Sequence, residues 1–340
     1  MTESYGNDFF TITQYGPETV LGTAVPATKI WPGTTPKIVS DSKPSFPEES
    51  FNIRSKSRRA QLFETLYQNS LLAPIAGFQQ LLLPLQCGLK GVTPTETTPD
   101  QDDWDWAFTP FLTPAAGPNA PKSATLEFTD GVQAYEVEYC QFDKITIKGT
   151  IPQDGGDASV SVEGSFYGRK LTPTTLTPAL GEANATLMNA ALARLYCDTA
   201  WPAGGTELAN LLRSFEIQLL TGMHPVFRGS ENTYFAAARE GILAASATFT
   251  IEGGSTAHAL LAAQQAATFK TFRLKIPGPQ IGTGVSHLAQ FDIGGYLETV
   301  GPTDSADRGD NLATLGIRAA YDSVGAKLFD VKVITNQETV

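Results

Sequence analysis

Short runs in which apolar and polar side chains alternate recur along much of the chain. Trp104, Trp106 and Phe108 alternate with polar or small residues, as do Leu126 and Phe128, Val137 and Tyr139, Ile145 and Ile147, and Val160 and Val162. A period of two predicts strands with one buried face. Asp130-Gly131 and the stretch Gln153–Asp157 supply turn signals between such runs, so neighbouring strands are expected to pair antiparallel. The pattern resumes at Leu192–Tyr196, Phe215–Leu219, Thr248–Ile251, Phe272–Ile276, Tyr296–Val300, Leu315–Ala319 and Leu328–Val333. Two stretches read instead as short helices: Ala76–Leu85, and the alanine-rich Ser255–Ala267 with Ser255 as its N-cap.

Punctuation divides the chain. The first 35 residues, broken by Gly6, Gly16, Pro17, Gly22, Pro26, Pro32 and Gly33, read as loop and extended arm. Between Thr35 and Arg59, candidate strands at Lys37–Val39 and Phe51–Arg54 are separated by Pro44 and Pro47. Leu171–Asn184 is rich in Pro and Thr without periodicity, and is the best linker candidate. The expected organisation is therefore all-β: a first β domain with an N-terminal arm over residues 1–172, a linker over 173–184, and a second β domain over 185–340. Several strands and one short helix in each half suggest a duplicated sandwich or small barrel.

Composition narrows the class. Charged residues make up 17% of the 340, below the usual quarter, as in proteins that hide surface in an assembly. A net charge of −11 and a pI near 4.8 argue against a specific nucleic-acid reader, which carries a basic face. Cys87, Cys140 and Cys197 are odd in number and contain no CxxC pair, which predicts reduced, buried thiols rather than disulfides or structural zinc. The acidic start predicts no secretory signal, and Gln79, Gln80 and Gln86 with Pro74 and Pro84 interrupt the most apolar stretch, so no membrane span is expected.

Catalytic patterns are not found. The chain has no phosphate-cradling glycine loop with its lysine and no nucleophile elbow, and Gly282-Thr283-Gly284 lacks a third glycine and a following helix. His224, His258 and His287 are isolated from one another and from cysteine. Asp100, Asp102, Asp103 and Asp105, and separately Asp304, Asp307 and Asp310, read as solvated loops rather than calcium sites. No catalytic, cofactor or metal residue is therefore expected. Arg54, Lys56, Arg58 and Arg59 form a basic run suited to pairing with acidic groups on a neighbouring copy.

Three regions resemble the major tail tube proteins of long, non-contractile bacteriophage tails. Tyr15-Gly16-Pro17-Glu18-Thr19-Val20-Leu21-Gly22-Thr23-Ala24 is similar to that family's opening Gly-x-Glu-Thr motif. Leu126–Gly131, Tyr135–Gly149 and Val160–Gly168 resemble its hairpin series, and Phe215 through His224–Phe227 to Leu328–Val331 its closing layout. The resemblance implies a virion protein assembled in the host bacterial cytoplasm, without catalysis, forming stacked rings around a lumen. Its partners would be further copies of itself, a tape measure protein inside, and tail terminator and tail-tip proteins at the ends. DNA would pass through without specific binding, past an acidic wall. Family members with one domain form hexamers, so two domains imply trimeric rings with pseudo-sixfold symmetry. The rival readings are another virion ring protein (tail terminator, tail-tip or capsid decoration protein) and a carbohydrate-binding module using Trp104 and Trp106. Within the tube reading, the segment Thr35–Arg59 is expected to touch a neighbouring subunit or ring.

Overall fold

The computed structural model describes residues 11–39, 42–46, 48, 60–113, 116–181, 185–201, 204–229, 232–307 and 310–340. In the first half, β1 (Ile12–Pro17), β2 (Lys29–Ile30), β3 (Ser42–Ser45), β4 (Gln61–Thr65) and β5 (Tyr67–Ala73) precede a turn of 3₁₀ helix at Phe78–Leu81 that continues into α1 (Leu82–Gly88). Then come β6 (Thr95–Glu96), β7 (Trp104–Ala107), β8 (Ala124–Thr129), β9 (Ala134–Thr150), β10 (Val160–Gly168) and β11 (Leu171–Thr174). The second half holds β12 (Arg194–Asp198), β13 (Thr206–Glu207), β14 (Leu212–Leu220), β15 (His224–Val226), β16 (Ala237–Arg239) and β17 (Ala244–Glu252). After α2 (Ser255–Gln265) follow β18 (Lys270–Gly282), β19 (Val285–Asp307), β20 (Asp310–Ala319) and β21 (Phe329–Thr335). The fold is all-β and antiparallel, as alternation predicts.

One sheet organises the molecule. Its strands run in the order β5, β10, β9, β14, β17, β20, β19, with every neighbour antiparallel. Strands β9 and β19 are long enough to change partners midway. On one side β9 pairs with β11 and then β10; on the other it pairs with β8 and then β14. Strand β19 repeats the scheme: β21 and β20 on one side, β18 on the other. Each half therefore reads strand, helix, strand, long strand, strand, strand, in the same pairing pattern. A register shift falls at the same place in both, skipping Asp143 in β9 and Glu298 in β19. Counted from those shifts, Ser70 and Thr248 occupy matching places, opposite Ser165 and Gly316.

The core lies between this sheet and the helices. Ile145, Ile147, Val160, Val162, Phe166, Phe215, Ile217, Phe249, Leu315 and Ile317 all point inward and are buried. Helix α1 is buried on every side, so it shows no polar stripe. The glutamines that rule out a membrane span are each bonded there: Gln79 donates to Asn336 Oδ1 (2.8 Å), Gln80 to the Pro32 carbonyl (2.8 Å) and Gln86 to the Val92 carbonyl (2.9 Å). Among the described residues, no helix is long and apolar enough to cross a membrane.

Several expectations need correction. Strand β14 bonds to β9 from Ser214–Thr150 to Leu220–Lys144, so the sheet continues across the expected domain boundary. Within the expected linker, Leu171–Thr174 is a strand on β9. The N-terminal arm is not all loop: Ile12–Pro17 forms a full ladder with β8. Strand β8 is buried on both faces rather than one, because Thr125 and Glu127 bond the chain at Val25, Ala27 and Thr177 that covers them. Helix α2 starts at Ser255 itself, with Gly254 in the cap position. Lys37–Val39 lies beside β5 without a ladder, and Phe51–Arg54 falls outside the described residues.

Candidate functional site

The surface with the most distinctive chemistry is the outward face of the shared sheet. Alternation puts Thr146, Lys148 and Thr150 of β9, Ser161, Glu163 and Ser165 of β10, and Ser214, Glu216 and Gln218 of β14 on that face. Ser246, Thr248 and Thr250 of β17 and Thr314 and Arg318 of β20 extend it. Hydroxyls predominate, and several of the described charges are paired. Lys148 lies 3.4 Å from Glu216 on the facing strand, and Arg318 lies 3.2 Å from Glu298. Lys144 and Glu163 add one charge of each sign.

Among the described strands, both ends of the sheet carry an edge without a full ladder partner. Past Gly295, strand β19 is paired to β20 on one side, and among the described strands nothing pairs its other side, the side that β18 occupies earlier. The matching stretch of β9, Lys144–Thr150, is the one that receives β14. At the opposite end, Thr34 donates its N–H to the Leu72 carbonyl (2.8 Å), and the Lys37 carbonyl accepts from Tyr67 Oη and Asn69 Nδ2 (2.7 Å each). Residues 34–37 therefore run along β5 as β14 runs along β17. Ile38 and Val39 are exposed beside them.

A strap fastens the internal joint. The 23 residues between β14 and β17, 221–243, cross onto the first half rather than turning tightly. Thr65 donates to the Thr233 carbonyl (3.0 Å), and Thr65 bridges to Tyr234. Phe235 is fully buried against Tyr139 and Tyr167. The Arg169 guanidinium lies 4.9 Å from the Tyr139 ring centroid and 5.0 Å from that of Tyr234, and donates to the Gly22 carbonyl (2.7 Å). Glu240 accepts from the Asn119 and Ala120 N–H groups.

The opening motif has a structural use. Glu18 is buried, and its carboxylate accepts from Gly22 N (2.7 Å), Thr125 Oγ1 (3.0 Å), Tyr139 N (2.7 Å) and the Ser123 hydroxyl. Gly16 is required beside it, because a Cβ there would lie 2.4 Å from the Pro26 carbonyl.

The other sequence candidates scatter. Arg54, Lys56, Arg58 and Arg59 lie outside the described residues. Trp106, half of the expected sugar platform, is buried, stacks on Phe108 and donates to the Gln337 carbonyl, so the pair offers no exposed aromatic shelf. Asp103 is buried and accepts from Thr98 N, and Asp105 pairs with Lys332 at 2.6 Å. Among the described residues, no group of three or more His, Cys, Asp or Glu is placed to hold a metal ion. Sequence reasoning missed both sheet edges and the joint, since strands paired across distant sequence leave no local signal. No family model matches the chain, and no curated protein matches it.

Proposed function

We propose that the chain is a structural subunit that joins edge to edge with further copies of itself into closed rings, stacked as the tube of a long non-contractile bacteriophage tail. The observation that carries this reading is the repeated half. The joint between β9 and β14 already connects two matching units within one chain, and among the described strands the same two edges lack a ladder partner at the ends of the sheet. Such edges are aggregation hazards in a monomer and are normally blunted or covered. A head-to-tail contact that repeats with closing rotation generates a ring. The internal joint sets the register: as Ser214 faces Thr150, Thr34 of one copy faces Ser305 of the next.

Two matching units per chain favour three chains per ring. The hydroxyl-rich face then lines the lumen. Its described basic side chains Lys148 and Arg318 are each paired with a carboxylate, so a polyanion meets no unpaired basic cluster there. DNA is then a passenger rather than a ligand. The tape measure, terminator and tip proteins remain partners under this proposal, and no catalysis is assigned to the chain.

Native mass spectrometry with electron microscopy of the concentrated protein tests the reading. Rings of three chains, alone or stacked, support it. A chain that stays monomeric at high concentration, or rings of six chains, overturns it.

A further inference from the structure

We propose that Gln264 guards the edge of β19 in the free chain, holding a backbone carbonyl that an incoming strand needs and releasing it when a second copy docks. The proposal rests on the edge-to-edge reading above and adds a control on that edge. At the internal joint, the bulge that skips Asp143 in β9 is where the ladder with β14 ends. There Thr221 donates its N–H to the Asp143 carbonyl (3.0 Å) and its hydroxyl to the Phe142 carbonyl (2.7 Å). Helix α1 ends beside this anchor at Gly88. A Cβ on Gly88 would lie 2.7 Å from the Phe142 carbonyl oxygen and 3.1 Å from the Thr221 methyl group. The end of the helix therefore carries no side chain where the strand comes in.

The matching ground on β19 is arranged differently. Ahead of α1, Ala76 donates its N–H to the Val160 carbonyl (2.8 Å); ahead of α2, Gly253 donates its N–H to the Asn311 carbonyl (2.7 Å). Val160 and Asn311 each lie five residues before the matched pair Ser165 and Gly316, so the two helices enter their halves at the same place. Helix α2 then packs against β19 as α1 packs against β9. The bulge residue that matches Asp143 is Glu298. In the last turn of α2, where α1 ends in glycine, stands Gln264, and its Nε2 donates to the Glu298 carbonyl at 3.2 Å. The acceptor that receives Thr221 at the internal joint is thus taken, at the edge of β19, by a side chain of the same chain. Native proteins blunt or cover sheet edges in this manner to prevent unwanted pairing. Here the block is one half-buried amide on a rotatable side chain, so an incoming strand has a single hydrogen bond to displace.

Removing the guard tests the idea, because the effect has a sign that a hydrogen bond serving only the fold would not give. The full chain is sedimented over a concentration series. Gln264→Ala is expected to assemble at roughly three- to tenfold lower concentration than the parent, the worth of one hydrogen bond that docking no longer breaks. Gln264→Gly, which copies the end of α1, is expected to behave alike, with the same particles in electron microscopy. Gln265→Ala, at the exposed neighbouring position, serves as the control and is expected to assemble as the parent does. A parent that assembles, with Gln264 variants that need the same or a higher concentration, overturns the guard while leaving the edge pairing intact. A parent and variants that all stay monomeric overturn both.

Discussion

The Glu18 carboxylate accepts the backbone N–H of Tyr139 at 2.7 Å, at a residue where β9 adopts a positive φ of 56°. A tyrosine in the left-handed region is held there at a cost that its surroundings must offset. The same carboxylate satisfies Gly22 N and two hydroxyls, so one side chain fixes both the N-terminal turn and the point where β9 exchanges β8 for β14. Glu18→Ala leaves these donors buried without a partner, and is expected to cost about 2–4 kcal/mol. Chemical denaturation measures the loss, and protease cutting within residues 18–30 reports the release of the turn.

Arg169 serves the strap in a related way. Its guanidinium lies against two tyrosine rings and donates to two carbonyls, those of Gly22 and Phe235. Lysine keeps the charge but not the planar fork, so Arg169→Lys is expected to cost about 1–2 kcal/mol and Arg169→Ala more. The decisive reading is local: protease sensitivity of residues 221–243 should rise before global unfolding begins.

The alternation of apolar residues made most strands legible, from Ile145 and Ile147 in β9 to Leu315 and Ile317 in β20. It failed at β1, where Gly16 and Pro17 read as punctuation although Ile12–Pro17 is a complete ladder. It also failed in β8, where buried Thr125 and Glu127 hide a second covered face. Glu18 stood within a noticed motif, but its partners Ser123, Thr125 and Tyr139 are remote in sequence, so its role was invisible there. The repeat itself was foreseen only as a count of strands and helices. It shows in matching pairings such as Ser70 with Ser165 and Thr248 with Gly316, which no window of sequence contains.

His287 sets an acid limit on stability. It is buried, stacked on Phe78 at 5.2 Å, and its Nδ1 has no hydrogen-bond partner. Burial lowers its pKa below the ordinary 6.5, although a backbone bond at Ile334 opposes the shift. Below pH 6.5 the unfolded chain therefore binds more protons than the folded one, and stability falls as pH falls through that value. His287→Phe removes this contribution. Denaturation midpoints at pH 7 and pH 5 should differ less in the variant than in the parent; an equal difference in both would assign the acid sensitivity elsewhere.

The open edge beside β5 can be blocked without touching the core. Ile38→Asp with Val39→Asp places two charges where a neighbouring strand is proposed to bond, a device natural edge strands use against association. The monomer should keep its stability to within about 0.5 kcal/mol. Sedimentation should show loss of higher assemblies, restored in part by high salt, which screens the added charges.

The ladder joining β9 to β14 changes the arithmetic of assembly. Each union of free molecules sacrifices translational and rotational freedom worth roughly 4–15 kcal/mol. Where two units share a chain, their meeting is intramolecular and that sacrifice has already been made during folding. A closed circle of six units then needs two encounters between free molecules instead of five, so the circle can close at far lower concentration. The tether also fixes the order of partners around it, since each edge can meet only the other kind.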